Sequence, residues 1–513
     1  MEKLLIDGER LTLSDLERVV RGEGEVELSP AAREKMLASR AVVERVLASG
    51  AAVYGVNTGF GKLASVRVSR DQIRELQVNL VRSHSCGVGE PLSEAETRAI
   101  LLLRANAIAK GFSGVRPVVV ETLCAMLNGG VHPVIPSQGS VGASGDLAPL
   151  AHLAQVAIGE GEAFYKGWRE PGGEALRSAG IAPLELEAKE GLALLNGTQA
   201  MLALLSLSLL KAENAVDTAD AAAALSLDAL RGSPAAFDER IARVRPFAGQ
   251  AATARNLERI NRGSEIRESH RSAEKDKRVQ DAYSLRCTPQ VHGAVRDALA
   301  NIRKTVEVEL NSATDNPLVF PAPENAPSEG EIISGGNFHG QPLAMAADQL
   351  ALALATLAGI SERRVEQMTN PQTSLLPAFL VREPGLNSGF MMLQVTAAAL
   401  ASELRVQAAP HSVHSIPTSA NQEDYVSMGM GAARRLRPMV ESLQRILAIE
   451  LISACQGIDL LAPLKTGAAA QKVYDHVRGI SKPVLQDRSL ASEIEAVAES
   501  IAAGEIRRAS GLA

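Results

Sequence analysis

Residues 191–210 read GLALLNGTQAMLALLSLSLL, a run without a single charged side chain. Its length is close to the ~20 apolar residues that a membrane-spanning helix needs. No other segment matches it in length. A helix buried on all sides in a large bundle has the same composition. The run therefore predicts a buried helix, since it also contains five polar residues: Asn196, Thr198, Gln199, Ser206 and Ser208.

The chain beyond about residue 188 is predicted to be almost entirely helical. Several of its predicted helices exceed the usual length in globular proteins, so we expect them to run side by side in a long bundle. The candidate helices cover residues 188–231, 290–312, 341–369, 388–409 and 425–462.

The first part of the chain is predicted to mix short strands with helices. Lys3–Ile6 and Arg10–Leu13 could pair as strands around Asp7-Gly8. Ser14 and Glu17 have the spacing of a capping box that starts a helix. Further helix starts are predicted from capping residues and prolines at Ser29-Pro30, Ser69, Ser93 and Pro117.

Composition favours the helical interpretation. Aromatic residues make up only 3% of the chain and apolar residues 46%, so Ala, Leu, Val and Ile must supply most of the core. We predict a mainly α fold with two domains. An N-terminal mixed domain, residues 1–187, carries the loops, and a long up-down helical bundle with C-terminal helices follows over residues 188–513.

Charge and cysteine usage narrow the functional class. The net charge is −6 and no basic patch dominates, so we expect no nucleic-acid partner. The N-terminus lacks the apolar core of a signal peptide, and we expect no membrane association. The cysteines lie far apart without CxxC spacing, which indicates a reduced cytoplasmic protein without a disulfide framework or zinc site: Cys86, Cys124, Cys287 and Cys455.

The stretch that carries chemistry is GSVGASGDLAPLAH at residues 139–152. Within it, Ala143-Ser144-Gly145 could cyclise. The Gly145 nitrogen, which has no Cβ beside it, can approach the Ala143 carbonyl in a tight bend. Ser144 can then lose water to leave an exocyclic methylidene. The product would be a methylidene-imidazolone, an electrophile made from the chain itself.

A bare Ala-Ser-Gly tripeptide is usually only a turn, and the sequence repeats it at residues 48–50 and 509–511. The longer context, however, resembles the aromatic amino acid ammonia-lyase family, whose cofactor is a methylidene-imidazolone. Further matching motifs cover essentially the whole chain: YGVNTGFG from Tyr54, LLNGTQA from Leu194, VQDAYSLRC from Val279, DNPLVF from Asp315, SGGNFHG from Ser334 and SANQED from Ser419.

The resemblance implies roles for the residues around this cofactor. Tyr54 would accept the β-proton of the substrate, with Gly55, Gly59 and Gly61 in a mobile lid. A free phenol has a pKa near ~10, so Tyr54 would need a perturbing environment to act at neutral pH. Without the resemblance, a tyrosine packed beside a turn would be the simpler interpretation.

The segment 280–286 is the predicted site for the substrate carboxylate. Arg286 can hold a carboxylate with two parallel hydrogen bonds, which lysine cannot do. If the segment is helical, Gln280 and Tyr283 lie near the same face, and the resemblance places all three around substrate and cofactor. A solvated polar face is the structural alternative.

Two more residues are assigned by resemblance. Asn196 would lie beside the cofactor ring, and a buried amide needs a partner in any case. Phe338 would pack against the cofactor or the substrate, although an ordinary core phenylalanine is nearly as plausible from the residues alone.

The choice of substrate rests on His84 and Glu423, which the resemblance places at positions that recognise the substrate ring. A histidine at position 84 can hydrogen-bond an imidazole or a phenol, which argues against a plain phenyl ring. A carboxylate at position 423 suits an imidazole N–H, whereas the phenylalanine- and tyrosine-selective members carry glutamine there. We therefore expect L-histidine as substrate and urocanate as product. His414 and Tyr425 depart from the family pattern, where an acid and a histidine are usual.

Three alternatives remain open at this point. A tyrosine or phenylalanine ammonia-lyase or an aminomutase would share the cofactor, and a non-catalytic helical scaffold would keep only the fold. The pair His411 and His414 could suggest a metal, but two residues make a weak motif and we predict none. The resemblance also implies a homotetramer whose sites draw on several subunits.

Overall fold

Helices account for 61% of the computed structural model, which describes residues 3–51, 53–59, 68–272, 274–276, 278–321 and 330–512. The predicted mainly α fold is confirmed. Small aliphatic side chains dominate the buried positions, which lets helices pack closely at native density.

The chain forms two compact units, and each is assembled from three segments. The first unit comprises Met1–Leu207, Lys304–Asp348 and Pro410–Arg434. The second unit comprises Ser208–Arg303, Gln349–Ala409 and Arg435–Ala513. The predicted domain boundary between residues 187 and 188 stays a prediction.

The helices of the first unit surround one that is buried almost all round, Glu94–Ala109. Ser93 and Glu96 form its capping box as predicted, and Ser29 caps Pro30–Ser49 as predicted. The capping box of the first helix is Thr12 with Asp15, so the prediction of Ser14 with Glu17 is wrong. The α-helices lying wholly within this unit are Leu13–Val20, Pro30–Ser49, Ile73–His84, Glu94–Ala109, Pro117–Gly129, Leu147–Ala157, Gly172–Ser178, Glu190–Leu195 and Gly429–Arg434, with 3₁₀ turns at Arg70–Gln72 and Ser419–Asn421.

The strands of the first unit form small separate sheets. Lys3–Ile6 pairs in parallel with Glu25–Leu28, so the predicted hairpin with Arg10–Leu13 is wrong; the intervening residues form the first helix instead. The other pairings are antiparallel: Val88–Pro91 with Pro136–Gln138, Glu162–Tyr165 with both His132–Pro133 and Trp168–Pro171, and Leu318–Phe320 with Glu331–Ile333.

Long helices follow the predicted positions closely. The candidates at 290–312, 341–369 and 388–409 correspond to Thr288–Leu310, Gln341–Thr369 and Met391–Gln407, and the last candidate divides into Gly429–Arg434 and Leu436–Asp459. Shorter helices complete the second unit: Glu239–Val244, Ala248–Asn261, Glu265–Ser269, Tyr283–Arg286, Pro371–Ser374, Ala468–Ile480, Ala491–Ala502 and Glu505–Ser510, with 3₁₀ turns at Pro234–Phe237 and Ala378–Leu380.

The uncharged run 191–210 is buried but is not one helix. A short helix, Glu190–Leu195, ends at Asn196, whose backbone is extended, and Gln199–Ala229 begins three residues later. Sequence periodicity did not reveal this break, because the residues on both sides of it are equally apolar. The interruption places Asn196, Gly197 and Thr198 outside regular helix, where their backbone groups are available to neighbours.

By length and apolar composition, one helix among the described residues could cross a membrane, and it is Gln341–Thr369. Most of the residues in the most apolar stretch of this helix are buried inside the protein. The prediction that only 191–210 resembles a membrane span is therefore wrong.

Candidate active site

The loop 139–146 is held in the first unit by hydrogen bonds to its backbone. The Met428 N–H donates to the Val141 carbonyl at 2.9 Å, and the Ser427 hydroxyl donates to the Gly142 carbonyl at 3.2 Å. Gly142 and Gly145 both have positive φ, at 69° and 75°. A chain bent in this way around Ala143 and Ser144 favours glycine at both positions.

Gly145 lies directly against the interruption in the long helix. It forms an isolated parallel bridge with Gly197, and the Asp146 N–H donates to the Gly197 carbonyl at 2.7 Å. A Cβ on Gly145 would lie nearer than 3.0 Å to that carbonyl oxygen. A Cβ on Gly197 would collide equally with Arg104 and Gln199. Glycine is thus required at position 145, where the collision is with backbone and φ is positive, whereas a Cβ at position 197 would displace the ends of neighbouring side chains.

Asp146 anchors the end of the loop from a fully buried position. Its carboxylate accepts hydrogen bonds from the Ser140 hydroxyl at 3.1 Å and from the Met201 N–H at 2.7 Å. Burial raises the pKa of the Asp146 carboxyl to about 7, although these hydrogen-bond donors stabilise its anion. Asp146 lies within the motif at residues 139–152, but no role was predicted for it from the sequence.

Asn196 lies beside the contact between Gly145 and Gly197, and only the nitrogen of its side-chain amide forms a hydrogen bond. Its Nδ2 donates to the Asn316 carbonyl at 3.0 Å. Its Oδ1 is buried and has no hydrogen-bond partner among the described residues. Leaving a buried carbonyl oxygen without a donor is unfavourable, so this atom is available to a bound group.

Asn316 connects several segments of the candidate site. Its Oδ1 accepts hydrogen bonds from the Gly335 N–H at 2.7 Å and from the Ser334 hydroxyl at 3.2 Å. The preceding residue, Asp315, forms a buried ion pair with Lys189 at 2.7 Å. The motif from Asp315 indicated this region in the sequence, whereas Lys189 gave no signal because a charged residue before an apolar run looks like a surface position.

Tyr54 lies in a turn at the edge of the same unit and is half-buried. The next residue, Gly55, has φ +77°, and a Cβ there would press against Pro317 and Leu192. The turn is stabilised by Asn57, whose side chain donates to the Ala51 carbonyl and accepts from the Val53 N–H, both at 2.8 Å. Of the predicted lid glycines, Gly61 lies outside the described residues.

His84 ends its helix with a defined orientation. Its Nδ1 lies 2.9 Å from the Leu80 carbonyl oxygen. Because a carbonyl only accepts, Nδ1 carries the proton and Nε2 keeps a lone pair in the neutral ring. Burial lowers the pKa of His84, although the Leu80 hydrogen bond and the charge of Glu423 act in the opposite direction. The structure therefore brings His84 and Glu423 within electrostatic reach of each other.

Glu423 closes a small loop in the first unit. Its Oε2 accepts from the Thr418 hydroxyl at 2.8 Å, and the two backbones form an antiparallel bridge. Two residues later, the ring of Tyr425 stacks on His339 with centroids 6.2 Å apart. Phe338, next to His339, is half-buried. The first unit thus holds Tyr54, His84, Ala143-Ser144-Gly145, Asn196, Phe338 and Glu423.

The remaining predicted residues, Gln280, Tyr283 and Arg286, belong to the second unit. Only Tyr283–Arg286 is helical, so the condition for a shared helical face that includes Gln280 is not met. The Arg286 guanidinium lies over the Tyr283 ring at 4.6 Å. Its Nε is buried without a hydrogen-bond partner among the described residues, which leaves a charged donor open to an anion.

No group of three or more His, Cys, Asp or Glu side chains in the described part of the chain could hold a metal ion. The prediction that His411 and His414 bind no metal stays a prediction. Near the pair His411 and His414, the Asp348 carboxylate instead accepts the backbone N–H groups of His411 and Ser412 at 3.0 and 2.9 Å.

Comparison with known proteins gives consistent results. A model of the aromatic amino acid lyase family matches residues 11–479. The chain is 55% identical over 517 residues to a histidine ammonia-lyase of Koribacter versatilis, with 99% of this chain and 100% of that protein covered. It is 51% identical over 506 residues to a histidine ammonia-lyase of Caldanaerobacter subterraneus, covering 99% and 98%.

Solved structures are similar over the same extent. The histidine ammonia-lyase from Trypanosoma cruzi has a TM-score of 0.91 and 42% identity, covering 99% of this chain and 95% of that one. A tyrosine aminomutase from Streptomyces globisporus has a TM-score of 0.93 and 40% identity, covering 99% and 98%.

The contact between Gly145 and Gly197 generates a stability prediction. Gly145→Ala should lower the midpoint of thermal unfolding strongly, because it adds a collision with a backbone carbonyl to the strain of positive φ. Gly130→Ala is the matched control, because its φ is +72° and nothing lies within 4 Å of the added Cβ. Its free energy of unfolding should fall by only about 1 kcal/mol. Equal losses measured by calorimetry would contradict the proposed close contact.

Proposed function

The chain belongs to the aromatic amino acid lyase family, and on this basis we propose that it eliminates ammonia from L-histidine to give trans-urocanate. The histidine ammonia-lyases that it resembles support the reaction and the substrate. The observation in this chain that carries the proposal is the bent Ala143-Ser144-Gly145 loop against Gly197, with the open Oδ1 of Asn196 beside it.

The cofactor of this reaction would be a methylidene-imidazolone formed from Ala143-Ser144-Gly145. Its formation needs attack of the Gly145 nitrogen on the Ala143 carbonyl with loss of one water, and loss of a second water from Ser144. The positive φ of Gly142 and Gly145 fits such a bend. When formed, the group supplies an electrophile that draws electrons from the substrate and eases loss of ammonia and of the β-proton.

Tyr54 is the proposed acceptor of the β-proton. It sits next to Gly55, whose packing against Pro317 fixes one side of the turn. Asn196 would hold a polar group of cofactor or substrate, and the half-buried ring of Phe338 would exclude water from one side of the site. Each role rests on the resemblance, and for Asn196 also on its buried Oδ1, which has no hydrogen-bond partner among the described residues.

The substrate carboxylate is assigned to Arg286, supported by Tyr283 and Gln280. The open Nε of Arg286 supports this assignment, because a guanidinium can grip a carboxylate with two parallel bonds. The Tyr283 ring beneath it keeps the guanidinium plane in place by cation–π contact.

Imidazole recognition is assigned to His84 and Glu423. With its Nδ1 proton committed to Leu80, a neutral His84 offers only the Nε2 lone pair, which accepts from an imidazole N–H. The Glu423 carboxylate can accept as well, and pairs better with imidazole than with a phenyl ring. Tyrosine is the second candidate substrate, because the same Nε2 lone pair accepts from a phenol O–H.

We further propose a cytoplasmic homotetramer whose active sites combine residues of different subunits. The second unit exposes apolar residues at helical spacing on Met391–Gln407: Met392, Val395 and Val406 are 62%, 46% and 76% exposed. Val279 and Tyr283, beside the proposed carboxylate site, are 97% and 70% exposed. Apolar side chains exposed to this extent are covered where they lie in a protein–protein interface, and we propose that a second copy of the chain covers them.

Intact-mass spectrometry tests the cofactor. The mature protein should be lighter than its sequence by two waters, and Ser144→Ala should lack the dehydration and most activity while keeping its helical circular dichroism. Ser49→Ala, in the Ala-Ser-Gly tripeptide at the end of Pro30–Ser49, should retain both losses. An unmodified wild-type mass would exclude the proposed cofactor.

Coexpression tests the shared sites. Alone, Ser144→Ala should be inactive, and Arg286→Lys should lose about 1.5–3 kcal/mol of carboxylate binding, roughly 10- to 150-fold in kcat/KM. In mixed tetramers, roughly a quarter of sites would combine intact Ser144 and Arg286 from different subunits, so activity should recover to that level. Arg271→Lys, an exposed control, should be active alone. No recovery in verified mixed tetramers would place both residues in one subunit.

A substrate panel tests selectivity. Glu423→Gln should lower kcat/KM for histidine by about tenfold, because a charge-assisted hydrogen bond is lost, and should reduce discrimination against tyrosine. The neighbouring Asp424→Asn, an exposed carboxylate, is the control and should leave the histidine-to-tyrosine ratio unchanged. An unchanged ratio in Glu423→Gln would remove Glu423 from substrate recognition.

A further inference from the structure

The second unit contains a buried charged network whose four completely buried members lie on four different long helices. These are Asp220 on Gln199–Ala229, His292 on Thr288–Leu310, Arg364 on Gln341–Thr369 and Glu450 on Leu436–Asp459. All four are completely buried. None of these four residues has a role in the proposed catalytic site.

Arg364 and Glu450 form the centre of this network. The Arg364 guanidinium donates to Glu450 from Nε at 2.5 Å and from Nη2 at 3.0 Å. The Ser226 and Ser361 hydroxyls donate to the same carboxylate at 2.8 and 2.5 Å. Both carboxylate oxygens are therefore satisfied, and the guanidinium is held in a single plane.

His292 fixes the other edge of Arg364. Its Nδ1 donates to Asp220 at 2.7 Å, and Asp220 is also paired with Arg296. Burial lowers the pKa of His292, so the ring is neutral and its Nε2 presents a lone pair. That lone pair faces Arg364 Nη1 at 3.5 Å. The acceptors around Arg364 thus determine where Nη1 points.

Nη1 points at the short helix that carries the proposed carboxylate site. It donates to the Ser284 carbonyl at 3.3 Å, and the Ser284 hydroxyl donates to Gln367, three residues beyond Arg364, at 3.0 Å. Tyr283–Arg286 is a single turn, which is too short to be stable by itself. Its position must come from contacts such as these.

We propose that Arg364 is a positioning residue that orients Arg286 toward the substrate carboxylate by holding the Ser284 carbonyl. This inference rests on the proposed function, in which Arg286 binds that carboxylate. A buried ion pair is weak evidence for added stability, since well-packed apolar residues are often as stable. A fixed orientation for the adjoining one-turn helix gives the network a function that apolar packing would not provide.

The test compares two inhibitors, of which one carries a carboxylate and the other does not. Urocanate retains it, whereas L-histidinol keeps the imidazole and the amine without it. Arg364→Lys preserves the charge near Glu450, but an ammonium cannot reproduce the planar set of contacts to Glu450 and Ser284. The control is Arg478→Lys, another buried arginine, which pairs with Asp459 and does not contact residues 283–286 among its described bonds.

In Arg364→Lys, KM for histidine and the inhibition constant of urocanate should rise together by about tenfold, while the constant for L-histidinol changes less than about twofold. Arg478→Lys should leave the ratio of the two constants at its wild-type value. Combining Arg364→Lys with Arg286→Lys should add little to the effect of Arg286→Lys, because both act through one contact.

If Arg364→Lys does not accumulate as folded protein, Ser284→Ala is the second variant that tests the positioning of the short helix. It removes only the hydroxyl bond to Gln367 and should raise the urocanate constant selectively, by a smaller factor. Equal changes for both inhibitors, or no change for either, would overturn the positioning role. A wild-type protein that neither converts histidine nor binds urocanate would instead refute the proposed function itself.

Discussion

The approach of Gly145 to Gly197 is the constraint on which the candidate site depends. It leaves no room for a side chain on Gly145, whose Cβ would collide with the Gly197 backbone, and it brings the bent loop against the gap between two helices. Asn196 lies in that gap, outside regular helix, and its Nδ2 donates to the Asn316 carbonyl. Asn316 holds Ser334 and Gly335, and Pro317 presses on Gly55. Short chains of contacts therefore connect this backbone contact to Asn196, to the segment before Phe338 and to the turn that holds Tyr54.

Much of the helical fold could be predicted because helix ends carry local signals. Ser93 with Glu96, and Ser29 before Pro30, specify their helices within a few residues of sequence. The parallel pairing of Lys3–Ile6 with Glu25–Leu28 was missed because it depends on distant contacts, while a hairpin around Asp7-Gly8 looked locally sufficient. The break at Asn196 was also missed, since its cause is the loop that packs against Gly197.

The candidate residues themselves were reached mainly through motifs, and their surroundings were not. Nothing in the sequence indicates that Lys189 is buried against Asp315, or that the Asp146 carboxyl is raised to a pKa of about 7 by burial. The segment at Gln280 shows the same limit. A spacing of three residues would give one helical face only in a continuous helix, but the backbone of Ala282 is extended and the helical turn begins at Tyr283.

The most direct measurement of the central claim is the near-ultraviolet absorbance after L-histidine is added to the purified protein. Urocanate carries a double bond conjugated with its imidazole ring, whereas histidine does not, so turnover should produce a growing absorbance band together with released ammonia. The Ser144→Ala protein should produce neither. A wild-type protein that is folded and two waters lighter than its sequence, yet gives no absorbance change with histidine, would contradict the assignment of histidine as the substrate.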